Sequence, residues 1–93
     1  MQGVSRALIE ELLWTKHGIL SRDWVTYPVA RFKVMPHFSF KVIDRPDQPA
    51  VGAGEVLITN MPAAIGNAIF DATGKRLRQV PFTPARVRAA LAV

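Results

Sequence analysis

Glu55 is the residue of this chain whose surroundings best fit chemistry. It closes the run Val51-Gly52-Ala53-Gly54-Glu55, a Gly-x-Gly loop that ends in a carboxylate just ahead of a helical pattern. A carboxylate serves as a general base when it lies within hydrogen-bond reach of the proton it takes and a dry site lifts its pKa toward neutrality. Glycines at 52 and 54 let backbone approach a bulky ligand closely, or take angles closed to other residues. The plainer reading is a loop carboxylate facing water, since so short a pattern recurs by chance.

The other reactive residue types offer less. There are no cysteines, which removes disulfides, thiolate metal sites and any iron–sulfur cluster held by this chain. His17 sits in a Lys-His-Gly turn, with no second histidine, cysteine or carboxylate at metal-site spacing. Asp44 and Asp47 flank Arg45-Pro46 in a proline-punctuated turn, where turn hydrogen bonding accounts for both. Arg31, Lys33 and His37 fit solvent as well as they fit a ligand. No Ser/His/Asp set, no Gly-Lys-Ser phosphate loop and no internal repeat occurs.

A net charge of +5 raises nucleic acid or an acidic membrane as partners. The basic residues are dispersed, however, and only Lys75, Arg76, Arg78, Arg86 and Arg88 concentrate near the end, with no aromatic platforms among them. They read as a solvated face, some of them suited to an acidic protein surface. Neither nucleic acid nor membrane is expected. No run of 18 apolar residues and no basic, apolar leader is present. The expectation is a soluble chain, cytoplasmic if made in this form.

The elements that must position Glu55 follow from periodicity and punctuation. Met61, Ala64, Ile65, Ala68, Ile69 and Ala72 make a helical stripe, with Asn60 as N-cap, Pro62 in the first turn and Gly74 as terminator. Lys75 and Arg76 then meet the negative end of the helix dipole. Val56-Leu57-Ile58-Thr59 also reads as a short buried strand. Upstream, Val4, Ala7, Leu8 and Leu12 mark a first helix with Ser5 and Glu10-Glu11 on its other faces. A hairpin follows through Lys16-His17-Gly18, and then an extended crossing segment from Ser21 to Pro36. Trp14, Trp24, Tyr27 and Phe32 read as core or interface packing rather than a stacking box. His37 to Asp44 is the clearest strand, with Phe38, Phe40 and Val42 alternating against Ser39, Lys41 and Ile43. Leu77 to Phe82 reads as a short extended connection, and Thr83-Pro84 opens a last helix bearing Val87, Ala90 and Leu91.

Several of these stretches together resemble one family. They are Val51 to Glu55, Gly66 to Arg78, Pro81 to Pro84, Gln2 to Leu8, Trp24 to Pro28 and Val42 to Pro46. The chain resembles the C-terminal end of the large subunit of bacterial molybdenum hydroxylases. This is the xanthine dehydrogenase and aldehyde oxidase family, with the nearest likeness to its isoquinoline 1-oxidoreductase and nicotinate dehydrogenase type. That resemblance implies an oxidoreductase that hydroxylates aldehydes or N-heterocycles, with Glu55 in the place of the catalytic base beside molybdenum. Gly52, Ala53 and Gly54 would be the cofactor-side loop that presents it. No residue is implied as a metal ligand, because in the family the pterin and small inorganic groups hold the metal. The cofactor implied is molybdopterin, as the cytosine dinucleotide, bound by the intact enzyme and not by this chain alone. The partners implied are the missing upstream part of the large subunit and an iron–sulfur electron-transfer subunit, and the parent's compartment is left open, the periplasm included. One departure stands out: the family most often places proline after the glutamate, and here Val56 follows.

The expected fold is α+β, two to three helices on a small, mostly antiparallel sheet, with residues 1–93 forming one small domain, a C-terminal fragment inactive in isolation. A chain this short buries only about 60 to 65% of its unfolded surface. Apolar surface that the rest of a subunit would cover should be left open, which favours self-association. The alternative is a non-catalytic truncated relative, a small binding or assembly module.

Overall fold

A computed structural model describes residues 1–92. The chain is α+β: helix α1 (Gln2–Leu8), strands β1 (Trp14–Thr15) and β2 (Gly18–Ile19), a 3-10 turn at Phe32–Val34, helix α2 (Val56–Thr73) and helix α3 (Pro84–Leu91). The strands form a two-stranded antiparallel hairpin in which Trp14 faces Ile19 and Thr15 faces Gly18. Gly18 takes φ +130°, the angle the turn requires and the reason a glycine stands there.

Two turns of helix are too short to persist in water without tertiary support. α1 gets that support from α2, which it approaches so closely that a Cβ at Gly3 would lie 2.6 Å from Met61 Cγ and 3.2 Å from Ile58 Cα. Gly3, Ser5 and Ala7 are its buried residues. Ser5, expected on an outer face, is 4% exposed, and its hydroxyl accepts the Ala30 N–H at 2.8 Å. This bond ties the irregular middle of the chain to α1.

The α2 helix begins earlier than its sequence suggests. Glu55 is its N-cap, with no side-chain capping bond, so Val56 to Thr59 form the first turn and not a strand. Asn60 and Pro62 then lie inside the helix. Pro62 has no N–H to offer the Ile58 carbonyl. Packing decides the outcome: Ile58 and Met61 meet α1, and burying them outweighs the strand preference of the Val56–Thr59 run. The covered face runs through Ile58, Met61, Pro62, Ile65, Gly66 and Ile69, a clean i, i+3, i+4 series. Ala64, Ala68 and Ala72, expected within the stripe, lie exposed beside it. Gly74 ends the helix as expected, at φ +69° with its N–H on the Phe70 carbonyl at 2.7 Å.

The last helix is capped as its sequence implies, Thr83 Oγ1 accepting the Arg86 N–H at 3.3 Å and Pro84 standing at the first helical position. Phe82, just before it, is 6% exposed and lies against Gly66, where an added Cβ would sit 3.3 Å from the ring. Its N–H reaches the Ala7 carbonyl at 2.7 Å. Ala7, Pro81 and Phe82 are the buried apolar side chains among the described residues.

Two further expectations fail. Residues 37–44 form no strand: the segment is irregular and exposed, Phe40 at 91% and Val42 at 80%. A strand needs a partner, and no other described run of this chain lies alongside to supply one. Nor do the aromatics make a core here, since Trp14 and Trp24 are each 71% exposed and Phe32 is 92% exposed. Of those four, Tyr27 is half-buried, its hydroxyl donating to Glu10 at 2.9 Å.

The whole is open. A self-contained protein of 10.3 kDa exposes about 5,400 Å² by the usual size relation, whereas this chain exposes 8033 Å². Its radius of gyration is 16.7 Å against about 12 Å for a compact domain of this length.

Candidate functional site

Glu55 stands at the junction of an irregular arch and the N-terminus of α2. Its backbone (φ −116°, ψ 5°) turns the chain into the helix, and its carbonyl accepts the Ile58 N–H at 3.0 Å. The side chain is exposed, and among the described residues no hydrogen bond or ion pair engages it. The helix behind it holds the backbone at one end. At the other, the arch runs back to the Asp44–Pro49 turn, where Arg45 and Asp47 pair at 2.8 Å and the Gln48 N–H closes on the Arg45 carbonyl at 3.1 Å. The guanidinium beside it, with a further bond from the Gln48 amide, holds the Asp47 carboxyl well below the usual carboxylate range.

An open, largely apolar cleft of about 830 Å³ lies against this junction. Gly54, next to Glu55, forms part of its wall, with Phe38 and Phe40 from the irregular segment, Leu57, Ile58 and Met61 from α2, and the start of α1 opposite. Gln2 and Ser39 are its polar side chains. Glu55 itself does not line the cleft and stands between two residues that do, Gly54 and Leu57. Apolar walls with few polar groups suit a flat, hydrophobic ligand.

Gly52 and Gly54 do not use the backbone freedom expected of them. Neither has a positive φ, and a Cβ on either would meet nothing within 4 Å. The chain itself therefore has no need of glycine at these positions. The arch is left free of side chains on both sides of Ala53, with empty space around it that fits a bulky group from outside the chain.

The remaining sequence candidates are placed apart from this site. His17 is a turn residue, its N–H on Thr15 Oγ1 at 3.2 Å, and His37 is exposed. Among the described residues no three His, Cys, Asp or Glu side chains gather to hold a metal ion. Of the basic residues near the end, Arg76 folds back over α2, 4.0 Å from the Phe70 ring centroid and 2.6 Å from Asn67 Oδ1. Arg86 reaches across to Glu11 at 2.6 Å. No helix among the described residues is long and apolar enough to cross a membrane.

Sequence reasoning misses the packing glycines, Gly3 and Gly66. A signal is present, since each stands on an apolar helical face, where glycine has no conformational use and is explained by close approach.

The chain is similar over nearly its whole length to short segments of much larger proteins. It is 41% identical to a nicotinate dehydrogenase subunit of Pseudomonas putida over 91 residues, 98% of this chain and 8% of that protein. It is 31% identical to the beta subunit of isoquinoline 1-oxidoreductase of Brevundimonas diminuta over 85 residues, 91% of this chain and 11% of that protein. It is 35% identical over 85 residues to a protein of Gluconacetobacter polyoxogenes named membrane-bound aldehyde dehydrogenase [pyrroloquinoline-quinone], again 91% of this chain and 11% of that protein. The chain thus spans about a tenth of the length of the curated relatives it matches. No family model and no solved structure matches it.

Proposed function

From this homology to a segment of oxidoreductase subunits of the molybdenum hydroxylase family, we propose that the chain is the catalytic-base segment of a hydroxylase large subunit, inactive until joined to the rest of that subunit. The observation that carries this reading is the placement of Glu55: exposed, without a partner among the described residues, and adjoining an apolar cleft on a glycine arch that leaves room for a cofactor.

The chemistry assigned to this chain is proton transfer. Glu55 accepts a proton at a carboxylate oxygen as the oxygen nucleophile forms, and α2 fixes the backbone from which it reaches. Such a base works best where water is excluded, and exclusion is what the missing walls of the site would provide. A molybdenum–pterin cofactor, when bound by the assembled subunit, supplies the two-electron oxidation. Gly52, Ala53 and Gly54 would be this chain's contact with it, through backbone. An iron–sulfur subunit would carry the electrons away. The substrate class is an aldehyde or a planar N-heterocycle, as the names of the relatives suggest.

The experiment is a chimera. The matching segment of the Pseudomonas putida nicotinate dehydrogenase subunit is replaced with this chain, the product is assembled with its electron-transfer partner, and metal content and hydroxylation are measured. Activity with molybdenum present, lost in Glu55→Gln, supports the proposal. A chimera that carries pyrroloquinoline quinone and no molybdenum would support the cofactor named for the third relative instead. A chain that never incorporates points to a non-catalytic binding or assembly module.

A further inference from the structure

Residues 38–43 combine features that do not belong together in a surface loop. Phe38, Phe40, Val42 and Ile43 are 49%, 91%, 80% and 77% exposed. The apolar and polar residues alternate with period two through Phe38-Ser39-Phe40-Lys41-Val42, the pattern of a half-buried strand. Yet among the described residues no backbone N–H or carbonyl from 37 to 44 meets another protein group. A loop adapted to water would not carry this side-chain pattern, and a folded strand would not carry unpaired backbone.

We infer, resting on the proposed function above, that residues 38–43 become a strand by pairing with an edge strand of the remaining part of the hydroxylase large subunit, and that this pairing fixes the arch that presents Glu55. Three observations select that occupant. The chain exposes about 2,600 Å² more than a self-contained protein of its size, the scale of a permanent interface rather than a transient one. Relatives matched over nearly all of this chain carry about nine-tenths of their length elsewhere, so a large covering body exists in them. Phe38, Ser39 and Phe40 form a wall of the same cleft as Gly54. The segment that lacks a partner is thus the one leading, through the Asp44–Pro49 turn, into the Glu55 arch.

Strand addition supplies main-chain hydrogen bonds for the backbone and pockets for the alternating side chains. α2 holds the arch from the helix side only. Pairing at 38–43 would hold it from the other, so Glu55 would reach its working position on assembly and not before.

The test is hydrogen exchange by mass spectrometry on peptides covering 37–44, in the free chain and in the chimera with the nicotinate dehydrogenase subunit. The inference predicts exchange at 38–43 slowed by at least about 100-fold in the chimera, as expected for amides protected by a stable ladder. Val42→Pro, which removes a ladder donor, should restore fast exchange and lower kcat with Glu55 intact, while Val42→Ile should do neither. A chimera that is assembled and active, yet exchanges at 38–43 as fast as the free chain, overturns this inference and leaves the proposed function standing. Protection that rises with the concentration of the free chain and is no greater in the chimera assigns the strand to a second copy and also overturns it. If the chimera does not fold, the chain is instead co-expressed with the relative lacking its matching segment. Failure to incorporate in either form overturns both readings together.

Discussion

Glu11 and Arg86, 75 positions apart in sequence, meet at 2.6 Å and join the stretch between α1 and β1 to α3. Arg86 also donates to the Pro81 carbonyl at 3.1 Å, and its own N–H is the one capped by Thr83. The guanidinium and the carboxylate are partly exposed, 27% and 36%, so solvent screening limits the value of the pair. Arg86→Ala should therefore cost about 0.5 to 1 kcal/mol, and a double-mutant cycle with Glu11→Gln should give a coupling below about 1 kcal/mol, read from urea unfolding. A coupling that persists in high salt at full size would mean a drier pair than this geometry describes.

Gly3 is a sharper test of how the two helices meet. An alanine there would place its Cβ 2.6 Å from Met61 Cγ and 3.2 Å from the Ile58 backbone, which requires the helices to move apart. Gly3→Ala should destabilise the α1–α2 contact by about 1 to 3 kcal/mol despite alanine's better helix propensity. The measurement is hydrogen exchange across α1 and the urea midpoint. A stabilised variant would show that α1 does not dock as described.

Gly52 and Gly54 predict the reverse pattern. Because neither has a positive φ and nothing lies within 4 Å of an added Cβ, Gly54→Ala should change the stability of the free chain by no more than about 0.5 kcal/mol. In the chimera the same substitution should reduce cofactor content or activity if, as proposed, the open space at the glycines receives the cofactor. Full activity with Gly54→Ala would remove the glycines from the site.

Tyr27 gives a spectroscopic handle, as it is the single tyrosine of the chain. Its hydroxyl donates to the Glu10 carboxylate, and that bond, followed by burial, raises its pKa above the ordinary 10.0. A group whose folded pKa is raised contributes stability that is fully present below its unfolded pKa and is lost as pH rises through the folded one. Absorbance at the tyrosinate band should thus titrate above the unfolded value, and Glu10→Gln should move it back down. Asp23 behaves oppositely, its carboxyl held low chiefly by the Thr26 N–H and hydroxyl, so the 23–27 turn should loosen as pH falls below the usual carboxylate range. Titration of Tyr27 at its unfolded value would mean that the contact with Glu10 does not form.

Local signals are legible in the sequence where the chain satisfies itself. The Gly18 hairpin, the Gly74 stop and the Thr83-Pro84 start each depend on one or two residues and their own backbone, and each is present. The strand expected at 37–44 fails for the opposite reason: alternation shows that one face must be covered, but not that this chain does the covering. The start of α2 is misleading because Asn60-Met61-Pro62 imitates a helix opening, while packing of Ile58 and Met61 on α1 carries the helix back to Val56. For the site, the sequence singles out Glu55 and its glycines, and the cleft beside them is made by Phe38, Phe40 and the α1–α2 junction, which only the fold brings together.

The central claim is that Glu55 is a proton acceptor, and the most direct measurement is kcat/KM for hydroxylation by the chimera with and without Glu55→Gln, at matched molybdenum content. The account predicts a loss of about 10² to 10⁴ in rate with the metal still bound, as removal of a positioned general base produces. A Glu55→Gln chimera that hydroxylates as fast as its parent would contradict it.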